Sequence, residues 1–119
     1  MKKMERELAF LRQKVIDMGN LTEKMVLRAI ECMAEPQSTV RFQQVMEYES
    51  QLDLMQLEID REAIRLLTIY SPVAADLRTV MSISRITAEL ERIGDQAVNL
   101  CESLQLMIAK SDVLVMPAL

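Results

Sequence analysis

A chain of 119 residues suits a single domain and is long enough to bury a core without staples. Half of it is apolar, only 3% is aromatic, and Gly and Pro are few, which argues against a sheet-rich fold and for a helical bundle. The net charge of −4 argues against a nucleic-acid backbone as main partner and suits cations or a basic patch on another protein.

The two cysteines, Cys32 and Cys101, stand in unrelated contexts, with no C-x-x-C and no histidine anywhere. Those absences remove zinc fingers, His-based metal sites and the Ser-His and Cys-His nucleophilic arrangements. Two isolated cysteines on apolar faces read as buried small hydrophobes and fit a reduced, cytoplasmic setting. The start, Met1-Lys2-Lys3-Met4-Glu5-Arg6-Glu7, is too charged for a signal peptide. No apolar run approaches the ~20 residues of a membrane span. A soluble chain without direct membrane insertion is expected, with peripheral association to a membrane protein left open.

Met4, Leu8, Leu11, Val15, Met18, Met25, Ala29 and Cys32 form an apolar seam interrupted only by Thr22. Their alternating spacing of four and three is the ~3.5-residue period of packed helices. It predicts a first helix over about 3–34, continuous through Gly19-Asn20 because the seam keeps its phase there. Pro36 ends it, and Ser38 or Thr39 can cap the next helix. That second helix is predicted over about 39–69, with Val45, Leu52, Met55, Ile59, Ala63, Leu66 and Leu67 as its apolar positions. Ser71 followed by Pro72 reads as the N-cap and first position of a third helix over about 72–110. Residues 111–119 are expected to form a C-terminal tail. Short loops make neighbours antiparallel, so residues 1–110 are expected to form an all-α, up-down-up three-helix bundle, roughly 45 Å long.

The third helix carries two rows. Ile83, Ile86, Leu90, Ile93, Ala97, Leu100, Leu104 and Met107 follow helical spacing without a gap. Beside them run Ser84, Thr87, Glu91, Gly94, Val98 and Cys101. A helix apolar around so much of its circumference is central in a bundle or covered by a partner.

Two acid pairs stand out. Glu91 and Asp95 are four residues apart and flank Gly94, a helix-weakening residue. Glu49 and Asp53 repeat the spacing on the second helix. Counted from the turn near residue 71, all four fall about 27–36 Å away along the helices. Adjacent helices lie about 8–10 Å apart, so the four carboxylates can face one another. Clustered carboxylates need protonation, basic partners or a metal. An all-oxygen set suits a hard cation such as Mg²⁺, Ca²⁺, Mn²⁺ or ferric iron. Without His, ordinary di-iron oxidase chemistry is not expected. The competing reading is a salt-bridge cluster drawing on Lys24, Arg28 and Arg92.

Glu49-x-x-x-Asp53, the turn Ser71-Pro72-Val73-Ala74-Ala75-Asp76-Leu77-Arg78 and the run Leu90-Glu91-Arg92-Ile93-Gly94-Asp95 together resemble one repeat of the PhoU family of phosphate-uptake regulators. The resemblance covers most of the chain. It implies a multinuclear iron or zinc cluster held through acid-x-x-x-Asp motifs on the bundle surface, here Glu49, Asp53, Glu91 and Asp95. It implies a cytoplasmic negative regulator linking a phosphate ABC transporter to a membrane sensor histidine kinase. Family members usually carry two such repeats in tandem, and this chain carries one. It is therefore a fragment, a natural single-repeat member, or a chain that dimerises. The apolar seam of the third helix favours a homodimer. The expected function is a non-catalytic, metal-binding regulatory adaptor, because no nucleophile, phosphate-cradling glycine loop or basic anion pocket accompanies the carboxylates. The alternative is a purely structural or oligomerisation bundle.

Overall fold

The computed structural model describes residues 2–114. They form three helices, α1 (Lys2–Ala34), α2 (Thr39–Tyr70) and α3 (Ala74–Leu114), each packed against the other two, with no strand among the described residues. The up-down-up bundle expected from the seams is therefore present. α1 passes through Gly19-Asn20 without a break. The rod measures 69 × 17 × 17 Å. It exceeds the anticipated 45 Å because α3 alone has 41 residues, worth ~60 Å at helical rise. α3 continues to Leu114, so the first part of the anticipated tail is helical, and 115–119 lie outside the described residues.

The junction between α2 and α3 departs from expectation. Ser38 does cap α2, its side chain accepting from the Arg41 N–H at 3.3 Å. Ser71, however, is not the N-cap of α3. It closes α2 in the left-handed region, at φ 43 and ψ 54, and its N–H donates to the Leu67 carbonyl at 3.2 Å. A left-handed residue after the last helical turn satisfies a carbonyl that the helix leaves orphaned. α3 then begins at Ala74 rather than at 72, itself at φ 52. Pro72 keeps the residue before it from continuing the right-handed helix, so α2 ends at Ser71.

The core is a column of interlocked layers. α2 contributes Val45, Leu52, Ile59 and Leu66, spaced seven apart and all buried. α1 contributes Leu8, Leu11, Met18, Met25, Ala29 and Cys32, with Val15 half-buried. Thr22, the one polar residue in the α1 seam, is buried and donates its hydroxyl to the Met18 carbonyl at 2.9 Å. On α3 the inward face is not the whole large-residue row. Ile86, Ile93 and Met107 are exposed, while Thr87, Gly94, Val98 and Cys101 from the small-residue row are buried. Small residues let a helix axis come closer to its neighbours, so that row turns inward and part of the isoleucine row turns out.

Gly94 shows this most sharply. A Cβ placed there would lie 2.3 Å from Leu52 Cδ2 and 3.4 Å from Met25 Sδ. Glycine thus sets the separation of α2 and α3 at this layer. Gly19 differs: a Cβ there would meet nothing within 4 Å.

Polar clasps hold the two ends in register. At one end Arg65 pairs with Glu7 at 2.7 Å, and the Tyr70 hydroxyl donates to the same carboxylate. At the other, Arg41 pairs with Glu31 and Glu35, and Gln105 Nε2 donates to the Pro36 carbonyl at 3.2 Å. Ion pairs open to solvent add little net stability, so these fix alignment more than stability.

Cys32 and Cys101, unrelated in sequence, meet in the core between α1 and α3. Both are free and buried. The Cys101 thiol is pushed up to about 12 by burial, and further by hydrogen bonding with Cys32. The thiolate is the reactive form, so alkylation near neutral pH is expected to be far slower in the native protein than in a denatured control; comparable rates would show that the thiols are accessible. Gly94→Ala is expected to destabilise the fold. Overpacking costs about 1–3 kcal/mol, and ~1 kcal/mol of helix propensity offsets only part of it. Thermal denaturation checks this, and an unchanged or raised midpoint would show that Leu52 yields freely.

Candidate functional site

The close approach at Gly94 places the acids. Leu52, against Gly94, precedes Asp53; Gly94 itself precedes Asp95. The α2–α3 groove at this height is therefore lined by Glu49 and Asp53 from one helix and Glu91 and Asp95 from the other. Glu49 and Glu91 are half-buried, whereas Asp53 and Asp95 are exposed. The site is thus an open groove with two acids at its floor and two at its rim.

The two floor acids feel the charges around them. Glu91 is raised to about 8, chiefly by burial, then by hydrogen bonding with Asp53, then by the negative charges of Asp53, Asp95 and Glu49. Glu49 is also raised, first by burial, then by the charges of Asp53, Asp95 and Glu102. Glu102 belongs to this acid face and was missed in the sequence. Its signal was available, since it follows Asp95 by seven residues and so shares its side of the helix.

None of the three candidate bases answers the acids, and among the described residues Lys24 forms no ion pair. Arg28 pairs with Glu31 at 2.8 Å and Arg92 with Glu89 at 3.5 Å. Among the described residues, none of the four carboxylates has an ion-pair partner. Glu91 Oε2 is buried with no hydrogen-bond partner. Such an orphan acceptor is uncommon in native proteins and costs about 1–3 kcal/mol. Glu7 shows the contrast. Its carboxylate is lowered by the Tyr70 hydroxyl first and then by Arg65, a fully answered structural acid.

Among the described residues, no three acidic or cysteine side chains already stand as a metal cage. The donor set nonetheless fits a hard cation in kind. It is all oxygen, carries excess negative charge, and holds a buried carboxylate oxygen with nothing to bind.

Three long helices packed against one another, with an acid groove between two of them, define an all-α helical-bundle protein. The PhoU domain profile matches residues 15–104, most of the chain. The chain belongs to the PhoU family. It is 34% identical over 84% of its length to a phosphate-specific transport system accessory protein PhoU homolog of Aquifex aeolicus, covering 45% of that protein. It is 40% identical over 81% of its length to a homolog of the same description from Pseudomonas putida, covering 40%. With the phosphate-specific transport system accessory protein PhoU of Escherichia coli it shares 37% identity over 82% of its length, again covering 40%. The chain thus spans less than half the length of these relatives. No solved structure matches it. Among the described residues, no helix is long and apolar enough to cross a membrane.

The acid groove carries a pH signature. The folded-state value of Glu91 lies above its unfolded value of 4.5. Its contribution to stability is therefore complete below about pH 4.5 and is lost as pH rises through about 8. Metal-free protein is expected to lose thermal stability across that window, and Glu91→Gln to flatten the slope. Denaturation followed by circular dichroism at stepped pH checks this; an unaltered slope in the variant would place the loss on another group.

Proposed function

We propose that this chain is a non-catalytic, metal-binding regulatory adaptor of phosphate uptake. In this reading it works in the cytoplasm, as a homodimer, between a phosphate ABC transporter and a sensor histidine kinase. The observation that carries the reading is a carboxylate groove without basic partners, in which Glu91 Oε2 is buried and unbonded, in a chain of the PhoU family. The names of its relatives, accessory proteins of a phosphate-specific transport system, support the regulatory part.

Glu49, Asp53, Glu91 and Asp95 would hold the metal ion or multinuclear cluster. The bound metal would supply positive charge against four like charges and so order the two helices as a surface. Glu91 and Glu49, raised by burial and by their neighbours, must release protons for the groove to bind. Gly94 keeps α2 and α3 close enough for acids on both to serve one site. No step of bond making or breaking is assigned to these residues. The exposed isoleucines of α1 and α3 favour the second reading, an oligomerisation bundle without a functional metal.

Isothermal titration with Mn²⁺, Zn²⁺ and Fe³⁺ tests the proposal. Affinity is expected to rise with pH toward about 8, with proton release on binding. Glu91→Ala with Asp95→Ala is expected to weaken binding by at least about tenfold. The same variant should lose capture of the transporter ATPase or of the kinase cytoplasmic domain. Failure of the wild-type chain to bind any of the three metals would leave the oligomerisation bundle as the reading.

A further inference from the structure

We infer that two copies of this chain pair through the face formed by α1 and α3, crossing antiparallel at Gly19. The inference rests on the homodimer proposed above and assigns its surface. On α1, Arg12, Ile16, Gly19, Glu23, Val26 and Ile30 follow one another at alternating spacings of four and three. On α3, Ile86, Ile93, Leu100 and Met107 repeat every seven residues beside them. Ile16, Ile30, Ile86, Ile93 and Met107 are between 42% and 63% exposed. Single exposed apolar residues are ordinary, but a stripe two helices wide is not.

The seam between these stripes is open. A groove of about 720 Å³ runs between Val15 and Ile16 on α1 and Ile83 and Ile86 on α3, with Arg12 and Arg78 also on its walls. A further one, of about 310 Å³, lies between Val26 and Ile30 on α1 and Ile93 to Leu100 on α3. Gly19 lies between the two grooves on the α1 stripe. It is costly inside a helix, and nothing within this chain requires it, since a Cβ there meets no atom within 4 Å. Its absent side chain suits close approach by something outside the chain.

Three features select a second copy as that something. The interface about a two-fold axis is self-complementary, so one residue faces its own mate at the axis. A residue without a side chain, near the middle of a 33-residue helix, allows the two helices to approach there. Arg12 and Glu23 flank Gly19, seven residues before and four after, and neither has an ion-pair partner among the described residues. In an antiparallel crossing at Gly19, Arg12 of one copy and Glu23 of the other fall on the same side of the axis, about 10 Å and about 6 Å from it. The offset is under one helical turn, within reach of an arginine. Two such opposite-charge pairs would form, one on each side of the axis. A parallel crossing would place like charges together instead.

A smaller groove, of about 240 Å³, lies between α2 and α3, where exposed Ile64 and Met81 stand beside Asp60 and Ser84. Leu54, Leu57 and Ile64 lie along one helix, α2, in a row broken by Arg61. The carboxylate groove is also separate, between α2 and α3, so the pairing leaves it open in both copies.

Sedimentation equilibrium of the wild-type chain at micromolar concentration is expected to give twice the chain mass. Ile30→Glu with Ile86→Glu should raise the dimer Kd by at least about tenfold, while Ile64→Glu should not change it. Gly19→Cys should form an inter-copy disulfide on oxidation, and Ile64→Cys should not. Helical circular dichroism confirms that each variant is folded. The cross-link does not depend on destabilising the interface, so it stands if the double variant misfolds. A monomeric wild type overturns both the homodimer and this surface. A wild-type dimer in which Gly19→Cys fails to cross-link overturns the surface alone.

Discussion

Much of this protein turns on one contact, the seating of Leu52 of α2 on the bare backbone of Gly94 in α3. A methyl group at that position would fall 2.3 Å from the leucine. The absence of one carbon therefore sets how close the two helices run in that layer. Because Asp53 follows Leu52 and Asp95 follows Gly94, the same closeness brings the acid pairs across from one another. A glycine that looks like a weakness when the helix is considered alone is a spacing element once its neighbour is present.

That closeness has an electrostatic consequence. Four carboxylates share a groove whose floor is half removed from water, and the nearby arginines are engaged with other acids. The floor residues respond by holding their protons more tightly, Glu91 most of all. The end clasps show that the same chain can answer an acid fully, as Tyr70 and Arg65 do for Glu7. The difference between an answered and an unanswered carboxylate separates the aligning clasps at the ends of the rod from the acid groove in its middle.

α3 serves three neighbours. Its small-residue row meets the core, its acids meet α2 across the groove, and its outward isoleucines stand beside those of α1. A helix of 41 residues in a rod 17 Å thick has circumference enough for all three. The sequence showed two rows on α3, one of large and one of smaller residues, and left open which of them meets the core and which a partner. Packing ranked them by approach distance, and the row with Thr87, Gly94 and Cys101 went inside. The pairing of Cys32 with Cys101 was hidden for a related reason: sequence distance says nothing about which residues of parallel helices share a layer.

The sequence by itself determined the three helices, a cap for α2 at Ser38 or Thr39, the buried α1 and α2 seams, and the height at which both acid pairs sit. Each follows from local rules: the helical period, the capping chemistry of Ser, and a rise per residue that turns counting into distance. Only the tertiary structure decided the rest. It chose Ser71 as the end of α2 because closing a helix and opening the next compete for the same few residues. It left the groove acids without bases because Arg28 and Arg92 found nearer partners one turn away. It added Glu102 to the acid face, and it turned the isoleucines outward. These outcomes depend on which neighbour arrives first within reach, a quantity that a one-dimensional pattern does not contain.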